Sequence, residues 1–204
     1  MKNLFLLTAF FALSINICAQ DNSQDLSAKD LKKYPLKGAI IKYSITGDAT
    51  GSATRTFSDD GWLDHFVTEI EINKYGISDS TITSTLSLGD YTYSFKNKDK
   101  KGTKLKDSRY SELLRYKTAN ESIEAIMQAE GATKSDTSII LDKTCTKWIF
   151  NTGVVKEIYE WEGLVLKIVK HLPGINYEIL AIEINEAPAM DSTIFNIPKG
   201  ITFN

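Results

Sequence analysis

The chain has 204 residues, 42% of them hydrophobic, and 24 Lys+Arg stand against 26 Asp+Glu for a formal net charge of −2. A charge so near neutral speaks against a general nucleic-acid binder, which needs a basic face to release counterions. No internal repeat divides the chain, and a mature length on the order of 185 residues suits one domain with a sizeable core.

Lys2 supplies a short positive start, and Leu4 to Ile17 form an apolar run interrupted only by Thr8, Ser14 and Asn16. With Cys18 and Ala19 leading into "QDNSQD", residues 1–19 read as a secretory signal peptide cut before Gln20. The run is shorter than the roughly 20 apolar residues of a spanning helix, so no transmembrane span is expected. The protein is expected in the periplasm or outside the cell. Cys18 has a second reading as a lipidated cysteine, which Asn16 and Ile17 before it fit badly. Cleavage leaves Cys145, in "KTCTKW", with no disulfide partner, and its expected role is that of a small buried apolar residue.

Residues 20–34 are polar and read as a flexible leader, with "SAKDLKKYP" able to hold one helical turn that Pro35 ends. Residues 35–204 form the single domain. There the period becomes two: Ala39, Ile41, Tyr43 and Ile45 alternate with more polar positions, "GDATG" turns the chain, and Ala49 to Ser58 returns. After "SDDG", Trp62, Phe66, Ile70 and Ile72 share one face of a third strand, with His65, Glu69 and Glu71 on the other. Ile82, Leu86 and Leu88 alternate with Thr81, Thr83, Thr85 and Ser87 in a half-buried antiparallel strand. Tyr91, Tyr93 and Phe95 follow.

Lys96 to Lys106 carries six lysines against one aspartate. It reads as a solvated loop, with an anionic-headgroup or phosphate contact as the alternative. The period then turns helical in "DSRYSELLRY" and "NESIEAIMQAEG", with Asp107 or Ser108 capping the first helix, Asn120 the second, and Gly131 ending it. Strands resume at Ile139–Leu141, Thr144–Asn151, Val154–Trp161, Leu164–His171 and Ile175–Glu186, with "WEGL" and "LPGI" as tight connections. The expected fold is mainly β (α+β): a strongly curved antiparallel sheet or half-barrel of about ten strands, covered by two helices inserted mid-chain. Two short helices cannot cover such a sheet fully, so a concave apolar space is the expected ligand site.

The stretches "KTCTKWIF" and "GVVKEIYEWEGLVLK", and the ending "MDSTIFNIPKGITF", carry a family resemblance. With the export signal and the helical pair, the chain resembles the periplasmic lipoprotein-localisation carriers (LolA-type) and their wider half-barrel superfamily, as a divergent exported member. The resemblance implies acyl chains held between sheet and helices, and an arginine on an early strand inside the cavity. Arg55 stands at the matching place, on the strand face of Ala53 and Phe57, with a solvated or edge position as the alternative. The cavity candidates are Tyr43, Arg55, Trp62, Phe66, Ile70, Leu86, Tyr93, Trp148, Tyr159, Trp161, Leu166 and Ile168. The same aromatics would otherwise be plain core.

Catalytic hardware is sparse. His65 and Glu69 share a strand face but lie roughly 13 Å apart at strand rise, too far for one metal. No His-Glu-x-x-His, nucleophile-elbow or phosphate-loop pattern occurs, and Asp59, Asp60, Asp64, Glu160 and Glu162 sit at or beside turns, where Asp and Gly are favoured in any case. No cofactor or metal is expected. The functional expectation is a monomeric, non-enzymatic carrier of a hydrophobic ligand, either a lipid or an acylated lipoprotein. The alternative is a packed interaction module that binds other envelope proteins; an esterase-like enzyme is the least supported reading, because no nucleophile–base pair can be named.

Overall fold

The structure, a computed structural model, describes residues 31–74, 77–96, 98–116, 118–186 and 188–204. The expected signal peptide, Cys18 and most of the leader lie outside the described residues. Among the described residues no helix is long and apolar enough to cross a membrane.

Six strands come first: β1 (Ala39–Gly47), β2 (Ala49–Ser58), β3 (Leu63–Lys74), β4 (Ile77–Leu88), β5 (Tyr91–Lys96) and β6 (Lys101–Lys106). Helices α1 (Ser108–Tyr116) and α2 (Ala119–Ala129) follow. Then come β7 (Ala132–Ile140), β8 (Lys143–Phe150), β9 (Val155–Trp161), β10 (Leu164–Leu172), β11 (Ile175–Glu186) and β12 (Thr202–Phe203). They build a 12-stranded, curved, open sheet in the order β12-β6-β5-β4-β3-β2-β1-β11-β10-β9-β8-β7. The count exceeds the expected ten because the lysine-rich stretch forms β6 rather than a loop, and the C-terminal segment adds β12 in parallel beside it. The helices are not inserted into the middle of the sheet either. They carry the chain from β6, near one end, to β7 at the other.

Register assigns the faces. Ala39, Ile41, Tyr43 and Ile45 of β1 oppose Phe57, Arg55, Ala53 and Gly51 of β2, which oppose Asp64, Phe66, Thr68 and Ile70 of β3. This core face continues through Ile179, Ile168, Ile158 and Trp148 on β11, β10, β9 and β8. Ile123 and Met127 of α2 pack onto it in the same apolar cluster. Thr118 caps α2 rather than Asn120: its hydroxyl oxygen accepts from the Glu121 N–H and its hydroxyl donates to the Glu121 carboxylate, a reciprocal pair. Asp107 caps α1, accepting from the Arg109 N–H.

Apolar residues change faces at β4. On the core face β4 and β5 present Thr85, Ser87, Thr92 and Ser94, while Leu86, Tyr93 and Phe95 lie on the opposite face. There Met190, Ile194, Phe195, Ile201 and Phe203 of the C-terminal segment cover them. Leu86 and Tyr93 are thus core under a returning tail, not cavity lining. His65 sits on that face too, against the Ile194 backbone, and burial lowers its pKa.

Lys170 of β10 is opposite Tyr177 on the core side, and burial brings its pKa from 10.5 down to about 8. Between those values the unfolded chain holds one proton more than the folded one. Stability should therefore rise with pH across that window, by roughly 3 kcal/mol at most. Urea unfolding at about pH 7.5 and about pH 9.5 reads this slope, and Lys170→Met should flatten it.

Candidate binding groove and the ionic centre beside it

Two places on the core face hold polar groups under cover. The first is an ionic centre near the start of the domain. Leu31, Lys33 and Tyr34, expected in a flexible leader, are buried. The N–H groups of Lys33 and Tyr34 both donate to the Asp60 carbonyl, and the Trp62 indole donates to the Leu31 carbonyl. The Tyr34 hydroxyl donates to Asp64 Oδ2 at 2.6 Å. Arg55 Nε lies 3.5 Å from Asp64 Oδ1, and its guanidinium stands 4.8 Å from the Phe66 ring centroid. Neither Arg55 Nε nor Asp64 Oδ1 has a hydrogen-bond partner among the described residues, so the pair is a Coulombic contact. Burial works against the Arg55 charge, but Asp64, Tyr34 and Tyr43 outweigh it and push its pKa above the usual arginine value. Arg55 is therefore an interior residue rather than a solvated or edge one.

Arg109, from the first turn of α1, closes this centre. It donates to the Tyr34 oxygen, to the Lys33 carbonyl and, at 2.7 Å, to the Gly163 carbonyl in the β9–β10 turn. Gly163 has a φ of 88°, and a side chain there would meet Arg109 and the Lys33 carbonyl, so the turn needs glycine for conformation and for space. Lys33 donates to Asp107 at 2.7 Å and to the Gly89 carbonyl, with its ammonium 4.5 Å from the Trp62 ring. Burial lowers the Lys33 pKa, and Asp107 opposes that shift.

The second place is a groove of about 440 Å³ between α2 and the far end of the sheet. Trp148 and Glu160 form its floor, Trp161 one wall, and Asn120 and Glu124 of α2 another. Trp148 is 1% exposed. The buried Glu160 carboxylate is held by the Gly163 N–H at 2.7 Å and the Trp148 indole at 3.4 Å. Lys134 pairs with Glu124 at 2.9 Å near the Trp148 ring. Lys143 pairs with Glu186 while its ammonium stands 4.4 Å from the Trp161 ring. Four carboxylates line the groove (Glu124, Asp142, Glu160, Glu162) against those two lysines, so its field is acidic.

The other candidates lie elsewhere. Tyr43 is buried, donating to the Val165 carbonyl and packing edge-on against Phe66, and burial raises its phenol to about 12. Trp62 anchors a separate cluster with Leu31 and Leu113 under α1. Ile70, Leu166 and Ile168 belong to the main core cluster or pack against it. Tyr159 points away from the core side: across the register it opposes Lys147 and Lys167, and it donates to Glu157. Of the twelve candidates, the groove joins Trp148 and Trp161 alone. In the sequence Glu160 sits among the turn carboxylates. The available signal was its parity with Ile158, which put an acid on the buried face of β9.

Cys145 is buried and free, and burial raises its thiol to about 11, consistent with an inert packing role. Among the described residues no group of His, Cys, Asp and Glu is placed to hold a metal ion.

Fold and groove together define a class, an open curved β-sheet with a helix-walled groove. No family model matches the chain, and no curated protein matches it. Similar solved structures include an uncharacterized conserved protein from Thermus thermophilus, at a TM-score of 0.46 and 8% identity over 86% of this chain and 94% of that one. LprF from Mycobacterium bovis is another, at a TM-score of 0.33 and 11% identity over 83% of this chain and 92% of that one.

Proposed function

We propose that this chain is an exported, non-catalytic binding protein that holds an amphipathic, lipid-like ligand in the groove between α2 and the sheet. The observation that carries the reading is the groove itself. Its volume of about 440 Å³ lies in the range of small-molecule sites, and the half-buried Trp161 indole supplies apolar contact over the buried Trp148. Glu160, fixed in place by Gly163 and Trp148, gives the floor a defined polar point. The acidic excess favours a ligand whose polar part is neutral or cationic. A bare acyl chain fits this lining less well than the all-apolar space expected from the sequence.

A second reading is supported by the ionic centre. There the core face is filled by Tyr34 and Arg109, as in a packed interaction module that binds envelope proteins. Native mass spectrometry and displacement of a fluorescent acyl probe with an uncharged headgroup separate the two. The binding reading expects co-purifying acyl species and probe displacement, with Trp161→Ala weakening the probe at least about tenfold, or about 1.4 kcal/mol. Neither signal, together with a protein partner captured by cross-linking, would establish the module instead.

A further inference from the structure

The lysine-rich stretch closes the short β5–β6 hairpin, whose Lys96 stands opposite Thr83 while β4 runs on to Ile77, and the fold adds to its charge from elsewhere in the sequence. β5 and β6 pair up to Phe95 and Gly102, which leaves Lys96, Lys98, Lys100 and Lys101 at or beside the turn. β12 then runs parallel to β6, with Thr202 opposite Lys101 and the Thr202 N–H donating to the Lys100 carbonyl. Lys199, three residues earlier in the chain, is thereby brought to the same end of the sheet. All of these lysines but Lys96 are exposed, and Lys96 is half-buried. Asp99 is the one acid within residues 96–106 and 196–204. Among the described residues, none of the ion pairs uses any of these five lysines. Elsewhere among the described residues most lysines are paired: Lys42, Lys74, Lys134, Lys143, Lys147 and Lys167 each have a carboxylate within 4 Å, while Lys37 and Lys156 do not.

We propose that this tip is a docking surface for a bilayer carrying anionic phospholipid headgroups. Lysines also guard sheet edges against other strands, a task that scattered charges perform. A cluster of one sign repels itself, and an anionic surface relieves that repulsion while a neutral or mixed one does not. A chain of net charge −2 gains no general attraction to such a surface, so orientation would come from the tip. Ile197, 39% exposed and two residues from Lys199, offers an apolar side chain beside the charges, as interfacial contacts use. The surface lies at the β6–β12 end of the sheet and the groove near the β7 end, so the two roles are independent.

The test is co-sedimentation of the purified protein with vesicles of phosphatidylcholine alone or with about one-third phosphatidylglycerol. Binding to the anionic vesicles is expected, with release as salt is raised to about 0.5 M. The Lys98→Gln/Lys100→Gln/Lys101→Gln variant changes exposed side chains only and should keep its melting temperature. At roughly fivefold per lysine it should lose about 100-fold in partition. The control Lys32→Gln/Lys37→Gln/Lys42→Gln removes the same charge elsewhere and should lose far less. Failure to bind anionic vesicles, equal binding to neutral ones, or equal loss in the two variants would each overturn the proposal.

Discussion

Asp64→Ala is expected to destabilise the protein by about 3–5 kcal/mol, the range for breaking a buried ion pair on one side only. The substitution leaves Arg55, whose side chain is 13% exposed, without its counter-ion and removes the acceptor of the Tyr34 hydroxyl. Arg109 and Lys33 hold further positive charge beside the same site. The double variant Arg55→Met/Asp64→Leu should recover the part of the loss due to the unpaired guanidinium, while the part due to the Tyr34 hydroxyl, still without its acceptor, remains. Urea unfolding of both single variants and the double measures the coupling directly. A loss under about 1 kcal/mol for Asp64→Ala would mean that water reaches the centre and that Tyr34 does not seal it.

Trp148→Ala is expected to cost about 3–5 kcal/mol, as truncation of a buried aromatic does. The side chain is 1% exposed, and its loss also takes a hydrogen bond from Glu160. Trp161→Ala should cost only about 1–2 kcal/mol, because the half-buried indole loses partial packing and the Lys143 cation–π contact, worth about 0.5–1 kcal/mol. Thermal melts with and without an acyl ligand compare the two. An equally large drop for Trp161→Ala, which no ligand offsets, would show that the groove is closed in solution.

The local pattern of the fold was largely legible. β1, β3 and β9 to β11 follow from period-two alternation, and the Gly163 and Gly174 turns from residues that tolerate positive φ. What alternation cannot supply is the identity of the covering layer. Leu86 and Tyr93 alternate correctly, yet they face a C-terminal tail rather than the helices. β6 was missed because six lysines in eleven residues outweigh strand propensity on paper, whereas in the sheet they point to solvent and only the backbone must pair. Arg55 looked solvated because a lone arginine is costly to bury, and its compensating partners, Asp64 and Tyr34, come from other elements. Tyr34 itself follows a polar stretch, and its burial depends on contacts far along the chain.

The pairing of β1 with β11 has a kinetic meaning. It joins Ala39 to Glu186, nearly the two ends of the domain, at the centre of the sheet. Apart from the short β12–β6 ladder, the strands on either side pair with sequence neighbours and can do so locally, whereas this seam must wait until almost the whole chain is present. Loop closure over such a span slows folding, as in other sheets dominated by non-local pairs. Until the seam closes, both blocks present open edges able to pair with the wrong strand. The polypeptide would therefore complete its sheet only when nearly the whole chain is present, and it would be most exposed to misassembly in the interval just before the centre of its sheet forms.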